Sequence, residues 1–280
     1  GKQIDTANQV DSGDMWECPD IFLLDGQHVL IYSTAGKSCW ESGELDPKEM
    51  VFHRKHSGVL DYGSFYAPKT QRDRSGQRIL WGWIPETRPL EEYRAAGWAG
   101  MMSLPRVLNV SSKGNLSMRV FPKVGMLRKD EQVLAKSTDE KKNRRAIERL
   151  RLRGCCGEIT CSFASSQKPF AFTLLLSPAT TSEDVLISIQ SDPAHPGHVL
   201  IDGKSIPIHV GLEDQLDLHM YVDGSVVELM VNQQAAYTKR FYYSGARSPE
   251  IALRVEGKTA NIIKLAIWQF APISPNRLTT

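Results

Sequence analysis

Trp16-Glu17-Cys18-Pro19-Asp20-Ile21-Phe22-Leu23-Leu24-Asp25-Gly26-Gln27-His28-Val29-Leu30-Ile31-Tyr32 is the stretch on which the reading of the fold turns. Two apolar runs, 21–24 and 29–32, flank Asp25-Gly26, the dipeptide of a tight antiparallel hairpin. A carboxylate stands just ahead of the first run, between a large aromatic and a thiol. Neighbours of this kind can strip water from a carboxyl group and let it hold a proton near neutral pH, ready for a leaving group. Pro19 fixes its own φ and biases Cys18 toward an extended conformation. Glu17 is therefore expected at a stiff strand start. The plainer reading of the same residues is a Trp-Glu pair on an ordinary strand edge.

Outward from this hairpin, strand signals dominate. Residues 50–53, 65–70, 78–84, 101–110 and 115–121 read as short strands, with turns at Asp73-Arg74-Ser75-Gly76 and Lys113-Gly114. Residues 33–42 read as a loop, and 86–97 as a polar surface excursion. From 124 to 150 the composition turns densely charged, as in Asp139-Glu140-Lys141-Lys142-Asn143-Arg144-Arg145, with acids and bases interspersed. That segment reads as a solvated linker or short helix. Period-two alternation then resumes: Leu218, Met220 and Val222 against Asp217, His219 and Tyr221, a turn at Asp223-Gly224, then Val227, Leu229 and Val231. Such alternation over many hairpins means half-buried antiparallel strands in two sheets. The expected fold is all-β. It divides into a first block of short strands over 1–123, a charged linker over 124–150 and a β-sandwich over 151–272.

Composition excludes several classes. The 280 residues are 41% hydrophobic and 24% charged with a net charge of +2, the balance of an ordinary globular protein. That charge argues against nucleic acid or an anionic membrane as partner, and no apolar run is long enough for a membrane span. The five cysteines have no zinc spacing, and His195-Pro196-Gly197-His198 reads as a loop, so neither a metal nor another cofactor is expected. The opening Gly1-Lys2-Gln3-Ile4 reads as a cut, a processed end or an incomplete chain.

Four motifs occur in order: Trp16-Glu17-Cys18-Pro19-Asp20; Asp61-Tyr62-Gly63-Ser64-Phe65-Tyr66-Ala67-Pro68; Leu80-Trp81-Gly82-Trp83; and Gly97-Trp98-Ala99-Gly100 leading to Pro105-Arg106. Together they resemble the invertase and fructan-hydrolase family of glycoside hydrolases, family 32. The likeness is specific from about 14 to 122 and weaker to 270; residues 218–231 look like the family's C-terminal sandwich module. The resemblance implies the last blades of a five-bladed β-propeller followed by a β-sandwich. It implies a retaining β-fructofuranosidase that acts on sucrose or fructans such as inulin and levan.

In that reading Glu17 is the acid/base, and Cys18, Asp20, Tyr66, Trp83 and Trp98 belong to the substrate-binding surroundings. Retaining glycosidases oppose two carboxyl groups roughly 5–5.5 Å apart, one the nucleophile. The family's nucleophile lies in an Asn-Asp-Pro segment and its transition-state stabiliser in an Arg-Asp-Pro segment, and neither segment occurs in this sequence. The first blades are thus expected upstream or on a second chain, and this chain alone is expected to be inactive. In the plant branch an acidic residue that holds glucose falls near Ala35 or Gly36, which leaves sucrose and fructans both open. A non-catalytic carbohydrate-binding or structural β module is the alternative. The family favours an extracellular, vacuolar or periplasmic setting.

Overall fold

The computed structural model describes residues 15–164, 169–177, 184–192, 194–208, 215–243 and 249–274. The chain divides into two compact units, one of Gly1–Pro122 with Gln233–Thr238, the other of Lys123–Asn232 with Lys239–Thr280. Among the described residues both are built from antiparallel strands.

The first unit holds two sheets. In one, β1 (Glu17–Leu24), β2 (Gln27–Thr34), β3 (Lys37–Asp46) and β4 (Val51–Asp61) follow one another as a meander. Asp25-Gly26 and Ala35-Gly36 both turn with two consecutive positive φ values, 48° and 81°, then 46° and 75°. That pair of left-handed residues matches the strand twist, and glycine carries the second at little cost. The segment 33–42, expected as a loop, is therefore a second tight hairpin, and its Cys39, Trp40 and Glu41 are buried in β3. Its Gly and Ser residues mislead, because only two of its residues leave the ladder. In the other sheet β5 (Tyr66–Arg72), β6 (Arg78–Ile84), β8 (Arg106–Val110) and β9 (Leu116–Val120) are in order, with β7 (Met101–Met102) also on β6. The excursion between β6 and β7 carries α1 (Leu90–Ala96), a helix with no buried residue.

The interior of this unit contains an ion pair. Arg106 and Asp61 have side chains with no exposed surface and meet at 2.9 Å. Asp61 Oδ1 accepts from the Gly63 and Thr238 amides at 2.8 and 2.9 Å, and Oδ2 accepts from the Thr238 hydroxyl at 2.6 Å. Arg106 also donates to Thr238 Oγ1 at 2.9 Å and lies 4.4 Å above the Phe65 ring. The segment Gln233–Thr238 is bound further by Tyr62 N to Ala236 O and Ser64 N to Thr238 O, at 2.9 and 2.7 Å.

In the second unit, a 3-10 turn at Pro122–Leu127 leads into β10 (Arg128–Val133), α2 (Glu140–Ile147), β11 (Arg151–Arg153), β12 (Cys156–Phe163), β13 (Phe170–Ser177) and β14 (Asp184–Ser191). Then come β15 (His198–Ile201), β16 (Lys204–Pro207), β17 (Leu216–Asp223), β18 (Val226–Val231), β20 (Glu250–Gly257) and β21 (Ile262–Phe270), while β19 (Ala235–Arg240) has its residues 235–238 in the first unit. One six-stranded sheet runs β10-β21-β12-β17-β18-β19, the other β11-β20-β13-β14-β15-β16. Phe163 of β12 stacks on Phe170 of β13 at 4.6 Å and meets Phe172 edge-on at 6.4 Å, so the two sheets share a core.

Over 124–150, read as a solvated linker or short helix, the chain builds an edge strand and a docked short helix. β10 pairs with β21, and its outward charges are what an unpaired edge requires. Asp139 caps α2 by accepting from the Lys141 and Lys142 amides, and Asn143 and Ile147, four residues apart, are its buried positions. Two buried positions are too few to display a helical period. β18 also differs from expectation, for every residue in it is buried, Glu228 included.

The second unit has a buried carboxylate of its own. Glu158 accepts from Arg128 Nε at 2.6 Å and meets His219 Nε2. Burial alone would push its carboxyl up, but the bonds from His219 and Arg128 outweigh that and hold it below the usual range.

Two predictions test these interiors. Removing one partner of a buried pair strands the other charge, so Asp61→Ala is expected to cost about 3–5 kcal/mol in a denaturant titration of the first unit. A loss under about 1 kcal/mol would contradict the arrangement. A carboxyl held low in the folded state stabilises above its ordinary value, near about 4.3, and that contribution fades as pH falls through the native value. The wild-type denaturation midpoint should therefore fall on acidification below that point, and Glu158→Gln should flatten that decline.

Candidate active site

The site is set by two β-bulges. Along β1, Glu17 faces Ser33 and Asp20 faces Ile31, so three steps on one strand span two on the other. Along β5, Tyr66 faces Trp83 and Lys69 faces Trp81, with the same surplus. In each case the extra length holds a residue of positive φ followed by proline: Cys18 at 51° before Pro19, and Ala67 at 49° before Pro68. Proline has no amide to donate to the ladder and is tolerated at such irregularities. The extended conformation expected at Cys18 is thus replaced by a left-handed one, because the bulge must turn β1 there.

These bulges face each other and are stitched together. The Tyr66 hydroxyl donates to Glu17 Oε2. The Ala67 amide donates to Ser33 Oγ at 3.0 Å, Lys69 Nζ to the Pro19 carbonyl at 2.7 Å, and the Thr70 amide and hydroxyl to Asp20 Oδ2 at 2.9 and 2.8 Å. Asp20 is committed to holding β5 against β1. Trp16 stacks on Tyr32 at 4.1 Å and packs on the core of Leu30, Tyr32, Cys39 and Phe52. Glu17 itself is exposed, not wrapped by Trp16 and Cys18. Its environment is set by Tyr66 instead, a partner 49 positions away that no local pattern reveals.

Tyr66 also lines a cleft of about 310 Å³ with Gly36, Gly63, Ser64, Phe65, Trp83 and Pro85. Trp83 is 45% exposed there and lies cross-strand from Tyr66. Gly100 permits this placement, since a Cβ on it would come within 2.5 Å of the Trp83 indole nitrogen. Trp98 does not line the cleft. Arg88 lies 4.2 Å over its ring, donates to its carbonyl at 2.9 Å and is itself paired with Glu86 at 2.8 Å. Cys18 is half-buried and is likewise outside the lining. Among the described residues no carboxylate lines the cleft, and none form a cluster of three or more His, Cys, Asp or Glu suited to a metal ion. The cleft can therefore seat a neutral polyol against an indole face, beside one carboxyl group at its rim.

Residues 2–119 match the glycosyl hydrolases family 32 N-terminal domain, and residues 124–269 match the family 32 C-terminal domain. The chain belongs to glycoside hydrolase family 32. Among family 32 relatives, it is 28% identical to a sucrose-6-phosphate hydrolase of Escherichia coli, with 92% of this chain and 56% of that protein covered. It is 32% identical to a sucrose-6-phosphate hydrolase of Vibrio alginolyticus, over 83% of this chain and 49% of that one. Its fold resembles a family 32 β-fructofuranosidase of Bombyx mori with a TM-score of 0.66 at 22% identity, over 94% of this chain and 55% of that one. A sucrose-6-phosphate hydrolase of Lactobacillus gasseri superposes with a TM-score of 0.67 at 20% identity, over 95% and 56%. The chain spans about half the length of these relatives.

The Glu17 contact has a spectroscopic consequence. The Tyr66 phenol is pushed up by its hydrogen bond to Glu17, then by burial and by the Glu17 charge, with the Gly36 amide opposing. The phenol therefore remains a neutral donor past the pH at which a free tyrosine ionises, about 10. In an alkaline NMR titration of ring-labelled tyrosine, with the signal assigned by Tyr66→Phe, Glu17→Gln should move this ionisation back toward that value. An unmoved titration would remove the contact from the site.

Proposed function

We propose that this chain supplies the acid/base half of a retaining β-fructofuranosidase site, with sucrose or a fructan as substrate. The observation that carries the proposal is Glu17, projected by a bulge to the rim of a cleft with an exposed indole and held there by Tyr66. Glu17 would protonate the glycosidic oxygen and later take a proton from the attacking water. Tyr66 would orient it, and Trp83 would receive the C–H face of a sugar ring. Asp20 and Cys18 would act through the geometry of the bulge, and Trp98 through the wall of the excursion that carries α1. The two sheets of the first unit would be the last blades of a five-bladed propeller.

Two facts about relatives support the substrate class. The bacterial relatives are sucrose-6-phosphate hydrolases, and a variant of the silkworm enzyme was solved in complex with sucrose. The opposed carboxylate would come with the remaining blades, upstream or on another chain. Neither Asp20 nor Asp61 is suited to that task, since the first is engaged by Thr70 and the second is buried against Arg106. A binding module without hydrolysis is the second reading, and it is favoured by a lining without a carboxylate among the described residues.

Kinetics separate the two. With the complementary blades present, Glu17→Gln should lower turnover of sucrose or inulin by about 10²-fold or more, with KM changed little. The 280-residue chain by itself should release no fructose. Undiminished turnover in the variant would refute the acid/base role, and robust release by a clean monomer of the chain would refute the divided site.

A further inference from the structure

A second carboxylate of the first unit reaches the site through its neighbours. Glu41 of β3 is 3% exposed, and its Oε1 accepts from the Tyr32 hydroxyl at 3.1 Å and pairs with Arg54 at 3.4 Å. Tyr32 stands opposite Cys39 and Leu30 opposite Glu41, so Tyr32 and Glu41 are diagonal neighbours on one face of the sheet. A carboxylate is costly to bury there. Apolar side chains of similar volume in place of a buried ion pair are often as stable or more so, and Leu30, Cys39 and Phe52 already make an apolar cluster around Tyr32. Stability alone accounts poorly for Glu41, and its bond to Tyr32 points to placement.

Tyr32 lies where both bulges are held. Its ring stacks on Trp16 at 4.1 Å with the planes 14° apart. Trp16 precedes Glu17, and the ladder of β1 and β2 begins only at Glu17, opposite Ser33. The indole therefore holds the chain upstream of the Glu17 carboxyl against the sheet. Ser33, the residue after Tyr32, accepts from the Ala67 amide at 3.0 Å, and Ala67 follows Tyr66. Two consecutive residues of β2 thus fix both partners of the Glu17–Tyr66 contact, one through a ring and one through a hydroxyl. Stacked rings can slide over one another, and the bond from the Tyr32 hydroxyl to Glu41 takes that freedom from the phenol. Burial and the Glu41 charge push the Tyr32 phenol up, so it stays protonated and keeps donating. We propose that Glu41 is a positioning residue for the acid/base: through Tyr32 and the Trp16 ring, it sets where the Glu17 carboxyl stands relative to the Tyr66 phenol. This role rests on the proposed function of Glu17, but the contact that Glu41 governs can be read without hydrolysis.

The test follows the ring-labelled Tyr66 signal of the full chain in an alkaline NMR titration, with circular dichroism to show each variant folded. Tyr32→Phe keeps the ring and removes only its hydroxyl, and Glu41→Leu removes the acceptor. Both are expected to move the Tyr66 ionisation toward the free value of about 10, the direction expected of Glu17→Gln. Glu41→Gln still offers an oxygen to the Tyr32 hydroxyl and should titrate like wild type. Ser42→Ala is the control for general loosening. It removes a buried bond of the same strand, from Ser42 Oγ to the Gly114 carbonyl at 2.6 Å, and should leave the Tyr66 signal unmoved. With the complementary blades present, Tyr32→Phe should lower kcat for sucrose about tenfold and leave KM within about twofold. Should Glu41→Leu not fold, Tyr32→Phe decides. An unmoved Tyr66 ionisation in Tyr32→Phe, an equal shift in Ser42→Ala, or full turnover by Tyr32→Phe beside an impaired Glu17→Gln would each overturn the role of Glu41. Failure of the acid/base reading looks different, since Glu17→Gln itself would then turn over normally.

Discussion

The Asp61–Arg106 pair is the constraint that sets the first unit's geometry. A buried ion pair is a poor source of net stability, because desolvating both charges offsets most of their attraction. Its effect is on register. Asp61 accepts four bonds, two from amides, so Gly63 and Thr238 have fixed positions relative to β4. Gly63 must be glycine, since a Cβ there would lie 2.0 Å from the Thr238 carbonyl. Phe65 is then trapped beneath Arg106, with the Ser38 hydroxyl on its carbonyl at 3.0 Å and Gly82 making room for its ring. The next residue is Tyr66. The pair therefore determines where the phenol that meets Glu17 begins its strand.

That placement explains why strain is tolerated at Cys18 and Ala67. A non-glycine residue with positive φ costs of order 1–3 kcal/mol and persists only when its surroundings over-determine it. Here β5 is tied to β1 and β2 by the bonds at Ser33, Pro19 and Asp20, so neither bulge can relax without breaking contacts on the other strand. A regular β1 would return Glu17 to a flat ladder. The bulge instead offsets it toward the strand that carries Tyr66, which is how bulges serve functional sites elsewhere.

Much of this was legible in the sequence, but unevenly. The Asp25-Gly26 hairpin, the alternation in β17, and the order of the four motifs are local, and local patterns survive folding. The reasons the motifs exist are not local. Asp61, Gly63, Gly82 and Arg106 stand within those motifs, and they hold one another through Phe65 and Thr238. Nothing in Ala235-Ala236-Tyr237-Thr238 marks it as the source of a buried hydroxyl, and β19 has no hydrophobic alternation to reveal it. The charged segment 124–150 left linker and short helix both open and hid β10, because an edge strand and a helix with two buried positions are polar by necessity. The motif singles out Glu17, while its exposure and its tyrosine partner required the fold.

The cleft itself constrains the chemistry. Oxocarbenium-like transition states need a carboxylate on the face opposite the acid, at a distance of a single sugar ring. Glu17 is bonded to Tyr66 of the lining, whose other members are two glycines, Ser64, Phe65, Trp83 and Pro85. Ala35 and Gly36 form the turn at one corner of the cleft, and a Cβ on Gly36 would meet nothing within 4 Å. That corner is therefore open. What the lining presents is thus shape and an indole face, with the Glu17 carboxylate held by a phenol beside it.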